Sequence, residues 1–190
     1  MEKPEVLEMI DVHRGTTEEL EASYTVHKLW LADDPDAFVA KIAPNVRGIA
    51  TNGIAGTKGL ALADFPRLEI VSVHGVGVDA VDLETARSKG VQVTNTPDVL
   101  TEGVAELGIA LLLDVARCLT RNDRYLRAGR WPKEGDPPLA SSLAGRKLGI
   151  LGLGRIGRRV AELASAFGME ISYCGRSPKA DVDFPFYGDP

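Results

Sequence analysis

Three glycines, Gly152, Gly154 and Gly157, stand between a short apolar run, Leu148-Gly149-Ile150-Leu151, and a segment in which Val160, Leu163 and Ala164 share a helical face. Few local structures accept that spacing. The apolar run reads as a strand, the first glycine as a tight turn, and the following residues as a helix that begins at once. Gly152 permits the turn, Gly154 leaves room for a ligand to approach the backbone, and Gly157 lets the helix pack closely on the strand. The free N–H groups and positive dipole end of such a helix suit a phosphate. A further strand over residues 169–173 completes a β-α-β unit, which turns a weak glycine pattern into a specific one. The turn Gly152-Leu153-Gly154-Arg155-Ile156-Gly157 is therefore expected to cradle a dinucleotide; the alternative is a set of glycines that serve a tight turn alone.

The end of the second strand separates the two nicotinamide dinucleotides. An acidic residue about 20 positions beyond the fingerprint would bond the ribose 2′-hydroxyl of NAD. Here the chain reads Cys174-Gly175-Arg176-Ser177-Pro178-Lys179, and no carboxylate occurs until Asp181. Arg176 can pair with a 2′-phosphate, Ser177 can donate a hydrogen bond, and Lys179 adds charge. These three residues favour NADP as cofactor, with NAD possible and a solvated basic turn as the bland alternative.

Upstream, short apolar runs alternate with helical patterns: strands over residues 6–10, 46–50, 68–73 and 91–93, a weakly alternating stretch over 24–28, and helices over 17–22, 34–42, 60–65 and 83–89. Thr16 or Thr17 is available to cap the first helix, and Gly90 stops the last. This rhythm predicts a parallel α/β sheet, and the two-sided apolar character of residues 68–73 predicts cover on both of its faces. The rhythm breaks after Pro97. The longest helix, over 101–119, places Val104, Leu107, Leu111 and Val115 on one face that is expected to be heavily buried. A more exposed helix follows over 121–130, then a Pro-rich loop over 131–140 in which Trp131 is expected to pack. The boundary between two α/β units falls near residue 100.

Composition narrows the function classes. The formal net charge of −5 offers no electrostatic attraction to nucleic acid or to an anionic membrane. Two cysteines, Cys118 and Cys174, and three scattered histidines make neither a metal site nor a disulfide framework, so a reducing cytoplasm is the expected compartment. No targeting segment or membrane span is expected.

Three stretches in order resemble the D-isomer-specific 2-hydroxyacid dehydrogenases, and within them the glyoxylate/hydroxypyruvate reductases. They are Val73-His74-Gly75-Val76-Gly77-Val78-Asp79, the run Val93-Thr94-Asn95-Thr96-Pro97-Asp98 continuing through Thr101 to Glu106, and Leu143-Ala144-Gly145-Arg146-Lys147 leading into the glycine turn. The resemblance implies an α/β chain with a flavodoxin-like substrate domain over residues 1–100, then a linking helix and the first part of a Rossmann domain over 101–190. It implies that the backbone of Val76 and Gly77 holds a substrate carboxylate; successive amides in a loop form an anion nest. A plain strand-ending turn is the alternative. Asn52 and Gly53 resemble the loop covering the substrate from the other side, although asparagine is also an ordinary turn residue. Thr101 resembles the residue that caps the long helix beside the cofactor phosphates, or is a cap alone. Arg155 and Ile156 would line the pyrophosphate through their amides. His74 and Glu106 receive no catalytic task, and Glu106 is expected to pair with an arginine.

The resemblance further implies NADPH-dependent reduction of a small 2-keto acid, glyoxylate or hydroxypyruvate, by a homodimer formed through the cofactor domain and long helix. The loop over residues 51–56 has no arginine and Lys58 is its nearest cation, which disfavours a phosphorylated substrate; another 2-hydroxy acid such as D-lactate stays open. Family members run substantially longer than this chain. Their catalytic arginine, histidine and carboxylate come from later sequence, so no catalytic residue is assigned, the chain is expected to be the front portion of an enzyme, and these residues alone are expected to be inactive. Only two strands of the cofactor sheet are expected, with an open edge. A nucleotide-binding module without catalysis is the competing class.

Overall fold

A computed structural model describes residues 3–189, which form two compact units, the first ending at Pro97 and the second beginning at Asp98. The first unit contains β1 (Glu5–Glu8), α1 (Arg14–Ser23), β2 (Thr25–Lys28), α2 (Pro35–Ile42), β3 (Val46–Asn52), β4 (Ile70–His74), α3 (Leu83–Lys89) and β5 (Gln92–Thr94). All five strands are parallel, in the order β2-β1-β3-β4-β5. That order is the flavodoxin-like one, in which chain direction across the sheet reverses between β1 and β3.

Local chemistry explains the helix limits. Asp34 accepts from the Ala37 N–H at 3.1 Å and Pro35 starts α2, while Asp82 accepts from the Thr85 N–H at 3.0 Å to start α3. Gly90 closes α3 in the left-handed region at φ 70°. The core beneath the sheet joins Leu7, Val46, Ile49, Val71 and Val73 to Leu62 and Phe65, all essentially inaccessible to solvent. Each such side chain contributes roughly 1.5–3 kcal/mol by leaving water.

Three expectations for this unit need correction. The first helix begins at Arg14, three residues earlier than expected, with His13 as its cap: the His13 ring accepts from the Gly15 N–H at 3.2 Å, so neither Thr16 nor Thr17 has that role. Thr17 is instead buried and donates its hydroxyl to Glu8 at 2.9 Å. The helix expected over 60–65 is only a 3₁₀ turn, Leu62–Asp64. Pro66 excludes the α conformation at Phe65, and Lys89 donates to the carbonyls of Leu62, Ala63 and Phe65 instead. Finally, the sheet is not covered equally on both faces. Val6, Gly48, Ala50, Ile70 and Ser72 line an open groove of about 560 Å³.

The second unit contains α4 (Thr101–Arg117), α5 (Leu119–Arg127), α6 (Trp131–Glu134), β6 (Lys147–Leu151), α7 (Arg155–Ala166), β7 (Glu170–Cys174) and β8 (Phe186–Tyr187). The three strands are parallel in the order β6-β7-β8. A third strand was not expected. It has only two residues, too few for a periodic signal, and is anchored where the Tyr173 N–H donates to the Pro185 carbonyl at 2.9 Å. β6 lies at the sheet edge and Leu151 is 77% exposed.

The long helix is shorter and turned relative to expectation. Cys118 adopts φ 56° and separates α4 from α5, and Asp114 bridges the break by accepting from the Thr120 N–H at 2.6 Å and its hydroxyl at 2.8 Å. Those two bonds hold the Asp114 carboxyl below its ordinary value. Ala105 and Ile109 form the buried stripe, and Ile109, with Leu112, Leu113 and Ala116, belongs to the core with α7; Val104, Leu107, Leu111 and Val115 are exposed. Two apolar stripes run along α4, and the one that carries Ile109 meets α7, with Gly108 beside Val160. Trp131 sits in the short helix α6, not in a loop, and is half exposed, its indole N–H donating to Asp136 at 2.7 Å. Glu106 makes no ion pair among the described residues; Glu102, one turn earlier, bonds Arg159 at 2.8 Å.

Glu8 is fully buried, and its second carboxylate oxygen has no partner. Burial therefore holds its pKa above the ordinary glutamate value, against the opposing Thr17 hydrogen bond and Lys28 charge. The protonated form is favoured in the folded chain, so this contribution to stability is full below the unfolded-state pKa and is lost as pH rises through the folded-state value. Thermal denaturation across that window is expected to show falling stability in the native chain and a flatter profile in Glu8→Gln; parallel profiles would refute it.

Candidate functional site

In the first unit the polar loops gather at the carboxyl ends of β3 and β4, where open parallel sheets expose backbone to ligands. Asn52 ends β3, and its side-chain oxygen accepts from the amides of Ile54 at 3.0 Å and Ala55 at 2.7 Å. It is thus an organised turn residue whose Nδ2 has no partner among the described residues. Gly53 lies against the loop that follows β4, so closely that a Cβ there would be 2.7 Å from the Gly77 carbonyl oxygen. The structure therefore brings Asn52 and Gly53 beside Val76 and Gly77.

The loop after β4 is held open by Asn95 and Thr96, which carried no expected role. Gly75 turns at φ 134°, donates its N–H to the Thr96 hydroxyl at 3.0 Å, and accepts from the Thr96 N–H at 2.8 Å. Asn95 donates from Nδ2 to the Val76 carbonyl at 2.8 Å. With those carbonyls occupied, the Val76 and Gly77 N–H groups have no partner among the described residues, and a pair of free neighbouring amides attracts an anion. The polar run Thr94-Asn95-Thr96, directly after a strand, was the available signal. His74 is exposed and its side chain makes no hydrogen bond among the described residues, so it gains no role.

In the second unit the glycines behave as their spacing predicts. Gly152 adopts φ 93° and its N–H reaches the Cys174 carbonyl at 2.8 Å, which ties the turn to β7. Gly154 precedes α7 with no side-chain cap, and a Cβ built there would meet only open space. A Cβ on Gly157 would overlap the Gly152 carbonyl oxygen and press on Ile150. The amides of Arg155, Ile156 and Gly157 precede the first intrahelical bond, from Arg158 N–H to the Gly154 carbonyl at 2.9 Å. The Arg155 guanidinium pairs with Asp98 at 2.6 Å, leaving its amide for a ligand. Thr101 is the first residue of α4 and not its cap, which is Leu100 without a side-chain bond. Its hydroxyl is not used to close the helix.

Gly152, Leu153 and Gly154 share a cleft of about 510 Å³ with Tyr173, Gly175, Arg176, Ser177 and Lys179. The lining holds two cations and no carboxylate. Arg158 instead grips Asp181 with two bonds of 2.7 and 2.9 Å, and the pairing lowers the Asp181 pKa and raises that of Arg158. Open space at Gly154 and unpartnered helix-start amides leave room and donors for an anionic group, and the far end of the cleft is cationic.

Residues 6–180 match the family model of the D-isomer specific 2-hydroxyacid dehydrogenase catalytic domain. The chain belongs to the D-isomer specific 2-hydroxyacid dehydrogenases. Among curated members of that family, glyoxylate/hydroxypyruvate reductase A of Arabidopsis thaliana is 40% identical over 98% of this chain and 59% of its own length. Hydroxyphenylpyruvate reductase of Plectranthus scutellarioides is 42% identical over 99% of this chain and 60% of its own. Among solved dehydrogenases, the 2-hydroxyacid dehydrogenase of Ketogulonicigenium vulgare superposes with a TM-score of 0.92 at 44% identity, covering 100% of this chain and 60% of that one. The NADPH-dependent glyoxylate/hydroxypyruvate reductase of Sinorhizobium meliloti, solved with NADP and malonate, gives a TM-score of 0.82 at 38% identity, covering 97% and 57%. This dehydrogenase chain thus spans about 60% of the length of the relatives it matches.

Gly157→Ala tests the turn. Its methyl group forces the start of α7 away from Gly152, a packing strain of about 1–3 kcal/mol. A lowered melting temperature together with at least tenfold weaker nucleotide binding is expected from calorimetry; unchanged binding would contradict the assigned geometry.

Proposed function

We propose that this chain carries the substrate-carboxylate and dinucleotide sites of an NADPH-dependent reductase of small 2-keto acids, glyoxylate or hydroxypyruvate. The observation that carries the cofactor choice is the cleft beyond β7, lined by Arg176, Ser177 and Lys179 and by no carboxylate. A ribose 2′-phosphate gains charge-assisted hydrogen bonds there, whereas the 2′-hydroxyl of NAD finds no acceptor carboxylate. The turn Gly152 to Gly157 and the amides of Leu153, Arg155 and Ile156 hold the pyrophosphate, with Thr101 alongside.

In the first unit the Val76 and Gly77 amides hold the substrate carboxylate, and Asn52 and Gly53 close over the substrate with the asparagine Nδ2 as a donor. The absence of arginine from residues 51–56 supports a small unphosphorylated acid, and malonate in the Sinorhizobium meliloti complex is an acid of that size. A bound dihydronicotinamide supplies the hydride. The chain's own contribution is orientation: fixed amides neutralise the carboxylate and leave the carbonyl carbon as the group presented for reduction. The proton donor is assigned to none of these residues. The free cysteines Cys118 and Cys174 suit a reducing cytoplasm.

The exposed stripe Val104, Leu107, Leu111 and Val115 supports pairing with a second copy. Leu107→Glu with Leu111→Glu is expected to convert a dimer to a monomer in light scattering with helicity retained; a native monomer would remove this part of the reading.

The cofactor assignment is tested by fluorescence titration with NADPH and NADH. Arg176→Ala removes a charge-assisted contact of about 1.5–3 kcal/mol, which is roughly 10–100-fold in NADPH affinity, and leaves NADH affinity nearly unchanged. Equal loss for both would count against a 2′-phosphate contact. For activity, the natural polypeptide is assayed for NADPH oxidation with glyoxylate and hydroxypyruvate; NADPH binding without oxidation by any 2-keto acid would leave a nucleotide-binding module.

A further inference from the structure

The segment that bears Arg176, Ser177 and Lys179 is fastened at two points. The first is internal: the Tyr173 ring is 3% exposed, and its hydroxyl accepts from the Lys179 N–H at 2.7 Å. The ring also packs on Phe186, with centroids 5.4 Å apart, so its position is set by β7 and β8 together. The second is the fork from Arg158, in the first turn of α7, to both oxygens of Asp181. Asp181 is the first carboxylate after β7.

That position gives the Arg158–Asp181 pair a consequence beyond structure. A free carboxylate near the ribose end of this cleft would do two things: repel a 2′-phosphate and accept a hydrogen bond from a 2′-hydroxyl. Neutralised by a bidentate guanidinium, it does neither, and it does not line the cleft. A fork also fixes direction, which a lysine would not do. The pair is partly solvent-exposed, with side chains 32% and 69% accessible, so its effect on overall stability is small and its effect on local charge is the larger one.

We propose that Arg158 is a specificity-determining positioning residue: by holding Asp181 it keeps the ribose end of the cleft free of negative charge and selects the phosphorylated dinucleotide. Arg158 acts through Asp181, not by touching the nucleotide. Mutual hydrogen bonding and charge favour the ionised form of both partners, so the restraint persists across neutral pH. The inference rests on the NADPH reading above, and the test separates the two.

The affinities of NADPH and NADH are measured by fluorescence titration, and those of 2′,5′-ADP and 5′-AMP by calorimetry, for the native chain, Arg158→Ala, Asp181→Asn and the double variant. Arg158→Ala is expected to lower the NADPH-to-NADH affinity ratio at least tenfold. Asp181→Asn alone is expected to leave the ratio within about twofold, and adding it to Arg158→Ala restores the ratio, because the released carboxylate is what harms NADPH binding. Arg158→Met, which keeps most of the apolar stem while removing the charge and the hydrogen-bond donors, provides the same comparison if the alanine variant melts early. An equal loss for both cofactors, or a ratio that stays low in the double variant, would overturn the proposal. The native ratio judges the NADPH reading, and the change between variants judges this one, even if the native chain shows no preference.

Discussion

Helix α7 can begin directly against the turn that precedes it only because position 157 has no side chain. The Gly152 carbonyl occupies the space where a Cβ would be, and Ile150 closes the other side. From that close approach follow the free amides at the helix start, the link from Gly152 to β7, and the placement of Arg158 in the first turn, facing the segment beyond β7. A wider separation would leave the same residues in the same order without a shared cleft. The constraint is steric, and the electrostatics of the site depend on it.

The first unit solves a related problem by different means. Its proposed anion site also lies at the carboxyl end of a parallel sheet, but no helix of useful length starts there. The loop after β4 is instead stretched between its own sheet and the strand-end residues Asn95 and Thr96, which absorb the carbonyl of Val76 and both polar groups of Gly75. What is left over is a pair of amides. In both units the free groups are backbone N–H donors whose neighbours are engaged, and such donors cost no side-chain ordering when an anion arrives.

Much of this was legible in the sequence where one physical demand had one solution. The glycine turn, the α3 stop at Gly90 and the parallel β-α rhythm are of that kind, and so was the cationic run at Arg176. Other features were hidden because several local solutions satisfied the same residues. Helix α4 has two apolar stripes of similar strength, and the choice of the one that carries Ala105 and Ile109 is made by packing against residues distant in sequence, which leaves no local signal. Residues 60–65 have helical composition, yet Pro66 and the Lys89 ammonium favour a 3₁₀ turn. The Tyr173 and Arg158 anchors join residues 6 and 23 positions apart through bonds that leave no periodic trace.

The break at Cys118 has a consequence for how the chain breathes. Helix α5 follows it with no buried residue, held at its start by the two bonds from Asp114. Its amides are therefore protected by its own helical bonds and not by a core, and hydrogen exchange there proceeds by local opening that costs far less than global unfolding. Helix α4, anchored by Ala105 and Ile109, exchanges with the core beneath it. The left-handed residue between them marks the border between a slowly exchanging scaffold and a fast-exchanging appendage within what first reads as one continuous helix.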